Sequence, residues 1–174
     1  MHCPKLGMMV VIFLCFTLVA AAPADLKPVV SRKPSPDLAL SDSKGVVVKI
    51  SNLKGRVVLL DFWATWCGGC KVEIPWYMEF QERYKERGLS VVGVALDEEG
   101  WKTVQPFIEE KRVKYPVVIG TFDLAKPFGV EALPVTLLLD RSGRIADLRA
   151  GMVDKVVFQK EIEALLEEGS AAKR

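Results

Sequence analysis

The sequence predicts an α/β fold, a central mixed sheet flanked by helices with an N-terminal β-hairpin. Three observations carry this. Apolar runs of strand length alternate with stretches of helical period, the pattern of a sheet with a parallel centre. Two Asp-x-x-Gly segments, 42–45 and 140–143, separate short apolar runs and mark hairpins, the second adding antiparallel edge strands. The length, 174 residues, suits one domain with room for a hydrophobic core.

Residues 1–24 read as a signal peptide or an N-terminal membrane anchor. A polar start with one cation, Lys5, precedes an apolar run over 6–19 and the small residues Ala20, Ala21 and Ala22. Cleavage after Ala21 or Ala24 fits this pattern. Retention fits too, because the apolar stretch over 6–22 stands at the lower limit of a spanning helix. A lipid anchor at Cys15 does not fit, since Leu14 stands where a lipoprotein signal needs a small residue. Either reading puts the rest of the chain in the periplasm or on the extracytoplasmic face of a membrane. Residues 25–36 carry Pro28, Pro34 and Pro36 without an apolar period, and read as a Pro-rich tether.

The folded domain is expected over 37–168. Residues 38–40 and 46–50 form the first hairpin. Residues 57–63 are apolar except for Asp61, as in a central strand buried on both faces. From 67 to about 87 the spacing is helical, with Ile74, Tyr77, Met78, Phe80 and Tyr84 on one side, and Gly88 ends it. A second buried strand covers 91–96. A helix over 101–112 turns Val104, Phe107 and Ile108 inward, and 117–119 is a short apolar piece. One or two helical turns cover 123–128. Residues 135–139 and 145–149 flank the second hairpin turn. Asp154 then caps a final helix from Val156 to about Glu168, with Phe158, Ile162, Leu165 and Leu166 inward. Residues 169–174 are expected to be a disordered tail.

Composition removes several function classes. The formal charge of +2 falls to about +1 without residues 1–24, which argues against nucleic acid or another polyanionic partner. The one histidine, His2, lies in the export segment, so the domain has none for Ser-His or Cys-His catalysis. Of four cysteines, Cys3 and Cys15 also lie in that segment. The pair left, Cys67 and Cys70, cannot build a four-cysteine zinc site or a disulfide-stapled scaffold. Lys71 after Cys70 excludes c-type haem attachment. No cofactor is called for.

Cys67 and Cys70 fall where a buried strand gives way to a helix. Residues three apart on a helix are neighbours, at roughly 5–6 Å between Cβ atoms. A disulfide needs Cα atoms about 4.4–6.8 Å apart, so the bond can form and break with little backbone movement. Unpaired N–H groups and the helix dipole favour negative charge at Cys67. Such a setting typically lowers a thiol pKa from about 8.5 to about 3.5–7.5. Cys67 is therefore expected as the exposed attacking thiol and Cys70 as the shielded resolving one. The bland alternative is an inert structural disulfide. Its loop would be too small to stabilise much, and Trp66, Gly68 and Gly69 leave bare backbone beside the sulfurs.

The stretch Asp61-Phe62-Trp63-Ala64-Thr65-Trp66-Cys67-Gly68-Gly69-Cys70-Lys71 resembles the active-site segment of thioredoxins. More closely it resembles the TlpA/ResA-like branch, exported or membrane-tethered thiol-disulfide oxidoreductases that include cytochrome c maturation proteins. The resemblance covers about 36–168. It rests on W-C-x-x-C, Pro75 five residues after Cys70, Leu133-Pro134 before a strand and Gly151 before the last helix. It implies a thioredoxin-like fold in which the helix over 101–112 is an insertion. Pro134 matches the family's cis-proline facing the cysteines, so that the Leu133 backbone could pair with a substrate strand; a strand-entry proline is the plain alternative. With Trp66 and Gly151 these two make up the expected substrate-binding set. Asp61 matches the buried acid that serves Cys70 proton transfer, against the alternative of a solvated strand-end acid. Glu98 matches an acid near the cysteines, but Asp97-Glu98-Glu99 also reads as a plain acidic loop. Pro75 reads as structure only. Two positions depart from the family. Gly69 stands where proline is common, which loosens the first helical turn, and Val135 stands where threonine is common.

The resemblance implies reduction of partner protein disulfides by Cys67 and Cys70, apocytochrome c being one such partner, with recharging by a membrane thiol electron donor. The opposite direction, a disulfide-forming oxidant, is distinguished by potential, about −120 mV against about −250 mV or below for a reductant. A Cu(I) carrier is a further alternative, since two thiolates can hold that ion; no Met or His stands in a nearby motif to support them. A thiol peroxidase needs a P-x-x-x-T-x-x-C loop. Thr65 is two residues before Cys67 and the proline is missing, which makes this the weakest reading.

Overall fold

The computed structural model describes residues 26–171. The expected signal peptide or anchor over 1–24 lies outside the described residues. Among the described residues, no helix is long and apolar enough to cross a membrane.

A hairpin of β1 (Ala39–Ser41) and β2 (Val47–Lys49) forms a small sheet of its own. Its turn is held by Asp42, whose Oδ1 accepts from Lys44 N and Val46 N. The main sheet contains β3 (Val57–Trp63), β4 (Leu89–Ala95), β5 (Val117–Ile119), β6 (Val135–Leu139) and β7 (Ile145–Ala150). Its order is β5-β4-β3-β6-β7. The first three strands are parallel, and β6 and β7 continue the sheet antiparallel. The mixed sheet with a parallel centre is therefore observed, and β6 lies inside it next to β3.

The helices are α1 (Gly68–Tyr84), α2 (Trp101–Glu110), α3 (Phe122–Ala125) and α4 (Lys155–Ala171). Gly88 closes the stretch after α1 with a left-handed φ of 102°, where a β-carbon would be strained. Every residue of β3 is buried. Val57, Leu59 and Trp63 pack against Tyr77 and Phe80 of α1, Val104 of α2, and Phe158 and Ile162 of α4. Val58, Leu60 and Phe62 pack on the opposite face with Leu38, Ile50, Ala125 and Phe128. Strand alternation sends successive side chains to opposite faces, so Asp61 points to the α1 side together with Trp63.

Two expectations need correction. Residues 25–36, read as a tether, are docked where described. Leu26 is buried, and Lys27 N and Ile145 N pair with Ala146 O and Lys33 O. The buried Arg32 guanidinium donates to both oxygens of Glu168 at 2.7 and 2.8 Å and to Asp140 at 3.3 Å. Prolines forbid a regular period here, yet single anchors suffice to hold the segment. At the other end, α4 runs to Ala171, so residues 169–171 continue the helix.

Candidate functional site

Chain direction brings the cysteines to the carboxyl end of β3, where α1 begins. Asp97, buried just after β4, accepts from Thr65 N and Thr65 Oγ1 and ties the loop between β3 and α1 to the neighbouring strand. Cys67 is the N-cap of α1, and its Sγ accepts from Cys70 N at 3.2 Å. A helix start offers such orphan N–H groups to a negatively charged sulfur. Cys67 and Cys70 are joined by a disulfide, with Cα atoms 5.3 Å apart.

Cys67 departs from expectation. In the disulfide it keeps 5% exposure and Cys70 keeps 1%, so the pair lies just under the surface and the more accessible sulfur is only marginally so. Trp66 beside it is 63% exposed. The Leu133–Pro134 bond is cis, and the Pro134 ring approaches Gly69: a β-carbon built there would stand 3.4 Å from Pro134 Cδ. Gly151 lies on the same side, its N–H donating to Pro134 O at 2.9 Å. Trp66 thus adjoins Cys67 in the chain, and Pro134, with Leu133 before it and Gly151 bonded to it, faces the link between the cysteines. Val135 points away into the second core.

Beneath this surface lies a buried polar cluster. Asp61 is fully buried, and neither carboxylate oxygen has a hydrogen-bond partner among the described residues. Burial raises its pKa well above the usual carboxylate range, and the neighbouring Glu73 carboxylate adds to the rise. Glu73 lies on α1, three residues past Cys70, and is itself fully buried. Its Oε1 accepts from Val153 N at 2.7 Å, whereas Oε2 meets no partner at hydrogen-bond geometry among the described residues. Burial raises its pKa too, against the lowering effects of the Val153 N–H and the nearby Tyr77 hydroxyl. Tyr77 OH pairs with Thr136 Oγ1 at 2.9 Å, and Thr136 sits opposite Asp61 in the sheet. Trp63 Nε1 and Tyr115 OH are also buried without hydrogen-bond partners among the described residues. At Gly93, opposite Asp61 on β4, a β-carbon would stand 2.9 Å from Trp63 Nε1 and 3.1 Å from a Tyr115 ring carbon, so only glycine leaves room for both rings.

The sequence reading did not single out Glu73. A signal was available: Glu73 is in phase with the buried stripe Tyr77, Phe80 and Tyr84. Glu98, expected near the cysteines, is exposed. It lines a groove of about 480 Å³ with Thr65, Trp66, Asp97 and Phe122, beside the loop that leads into Cys67. Met152 was also missed. Its side chain lies against Gly69, supplying the nearby methionine that no local motif contains.

A mixed sheet whose central strand delivers a cysteine pair to a helix start, opposite a cis-proline, defines a thioredoxin-fold thiol-disulfide oxidoreductase. The chain belongs to the AhpC/TSA family, which matches residues 32–148. It is 32% identical over 133 residues to the thiol-disulfide oxidoreductase ResA of Bacillus anthracis, covering 76% of each chain. It is 33% identical over 131 residues to the thioredoxin-like protein YneN of Bacillus subtilis, covering 74% of this chain and 76% of that one. Among solved structures, a thioredoxin-family thiol:disulfide interchange protein from Chlorobium tepidum matches with a TM-score of 0.70 and 26% identity, covering 78% of this chain and 97% of that one. The chain is thus a thiol-disulfide oxidoreductase of the ResA type, with Cys67 and Cys70 as its disulfide-forming pair.

Proposed function

We propose that the protein is an exported reductase of partner disulfides, working in the periplasm or on the extracytoplasmic face of a membrane. The observation that carries the chemistry is the placement of Cys67 Sγ at the N-cap of α1, with Cys70 one turn behind it and an unpartnered acid below. In the reduced state the Cys67 thiolate attacks one sulfur of a partner disulfide. A mixed disulfide forms, and the other partner sulfur leaves as a thiolate and takes a proton. Cys70 then loses its proton to the buried acid system of Asp61 and Glu73 and attacks Cys67 Sγ. The Cys67–Cys70 disulfide forms and the second partner sulfur leaves. Two electrons have passed to the partner. A carboxylate with a raised pKa suits the proton step, because it holds and releases a proton nearer neutral pH than a solvated one. Trp66, Leu133, Pro134 and Gly151 surround the attacking sulfur and would hold the partner polypeptide.

Recharging requires a dithiol donor, for which a membrane thiol carrier on the same side is the natural class. Apocytochrome c, whose paired cysteines must be reduced before haem attachment, is the partner suggested by family resemblance. The test is capture. Cys70→Ala in the full chain should hold the partner on Cys67 as a mixed disulfide, identifiable by mass spectrometry. Equal capture by Cys67→Ala would overturn the division of roles. A measured potential near −120 mV would reverse the direction to oxidant.

A second reading, Cu(I) carriage, is favoured by one observation: the Met152 side chain beside Gly69 would offer a third soft sulfur donor near two thiolates. Anaerobic Cu(I) titration of the reduced protein against a competing chelator separates this reading from the first.

A further inference from the structure

Met152 follows Gly151 in the link between β7 and α4, and 59% of its surface is exposed. Its neighbours on both sides are fastened to the elements that build the redox site. Gly151 N donates to Pro134 O at 2.9 Å, at the entry to β6. Val153 N donates to Glu73 Oε1 at 2.7 Å, on the helix that carries Cys70. Gly151 adopts φ 89°, a conformation that side-chain-bearing residues resist. Met152 is therefore the apex of a loop clamped at two points, and its backbone cannot drift from the cysteines without breaking one of these bonds.

Its side chain lies over the backbone between the two cysteines. A β-carbon built on Gly69 would stand 2.8 Å from Met152 Cγ and 3.3 Å from Met152 Sδ. The same atom on Gly68 would meet nothing within 4 Å. Of the two residues between the cysteines, only the second must therefore lack a side chain while Met152 keeps this place.

We propose that Met152 is a specificity-determining residue, a movable apolar cover over the Cys67–Cys70 link that favours polypeptide partners over small thiols. The proposal rests on the thiol-disulfide reading and deepens it. Methionine is unbranched and adaptable, so an incoming chain can repack it at low cost and gain apolar contact in exchange. A small hydrophilic thiol gains no such contact and meets only the obstruction. Discrimination then comes from one group that attracts the right partner and hinders the wrong one.

The experiment uses the oxidised full chain with two probes, dithiothreitol as the small thiol and insulin as the disulfide polypeptide. Reduction is followed by tryptophan fluorescence, and insulin turnover is resolved into kcat and KM. Met152→Ala should be reduced by dithiothreitol about three- to tenfold faster and show an insulin KM raised by about the same factor, with kcat within about twofold of wild type. Met152→Leu, of similar volume, should restore both values. Gly69→Ala should displace Met152 and reproduce the faster reduction, and the double variant should be no faster than Met152→Ala alone, since the two changes act on one contact. The proposal is overturned if Met152→Ala matches wild type with both probes, or if the Gly69 and Met152 effects multiply. A wild-type protein inert towards both probes would instead remove the underlying thiol-disulfide reading, and the cover with it.

Discussion

Asp61 and Asp140 are both buried aspartates, at opposite ends of neighbouring strands, and the fold treats them in opposite ways. Asp140 accepts from Ser142 N, Arg144 N, the Arg144 side chain and Arg32. Burial alone would raise its pKa, but the Arg144 and Ser142 N–H groups and the two guanidinium groups outweigh it and bring the carboxyl below its usual range. Asp61 receives no hydrogen bond from the described residues, has a second carboxyl nearby at Glu73, and is pushed the other way. Arg32 also clamps Glu168, so the Asp140 end ties the N-terminal segment to the last helix. The end with the satisfied acid holds the chain together. The end with the unsatisfied acid lies below the cysteines, where an unmet polar group is available for chemistry.

This contrast can be broken or sharpened by experiment. The largest effect is expected at Asp61. Asp61→Asn should lower turnover of a disulfide substrate by about 100-fold, the usual scale for losing a positioned proton acceptor, without loss of folding stability at neutral pH. Unchanged turnover with a less stable protein would erase the distinction between the two ends. Next comes Asp140→Ala, which strands two backbone N–H groups and removes a shared partner of Arg32 and Arg144. Urea unfolding should report a cost of about 2–4 kcal/mol, with turnover per folded molecule within about twofold of wild type.

A smaller but more diagnostic effect is the dependence on pH. The folded Asp61 holds its proton more tightly than the unfolded chain does. Its protonation therefore contributes stability that is full below the unfolded pKa of about 3.9 and is lost as pH rises through the elevated folded value. Asp140 has the opposite sign: its contribution is present above about pH 3.9 and is lost as pH falls through the depressed folded value. Unfolding titrations from acid to neutral pH should thus show Asp61→Asn gaining on wild type as pH rises, by about 1.4 kcal/mol for each unit of elevation crossed. A stability difference that stays flat with pH would show that the surroundings of Asp61 do not raise its proton affinity.

Much of the fold was legible because it is written in local patterns. The apolar run at 57–63, interrupted by Asp61 alone, became the central strand without a change of boundary, and both Asp-x-x-Gly turns closed hairpins as expected. Within the site, the cysteine spacing and the apolar setting of Asp61 were readable for the same reason. Glu73 and Met152 were harder to see. Their meaning depends on the pairing of Glu73 with Val153, 80 residues away, and on the loop that this pairing holds over Gly69. The proline-rich segment misled, because its anchors are isolated contacts with no period to detect.

By itself the sequence determined which segments are strands and helices, which two sulfurs can join, and that no histidine assists them in the domain. These follow from side-chain periodicity, turn chemistry and the short reach between residues three apart on a helix. Tertiary structure alone decided which acid is satisfied and which is stranded, which side chain a larger residue at Gly69 would displace, and what lies over the cysteines. Those depend on burial and on contacts between groups far apart in the chain, and the energy of a polar or apolar group is set by what surrounds it once folded.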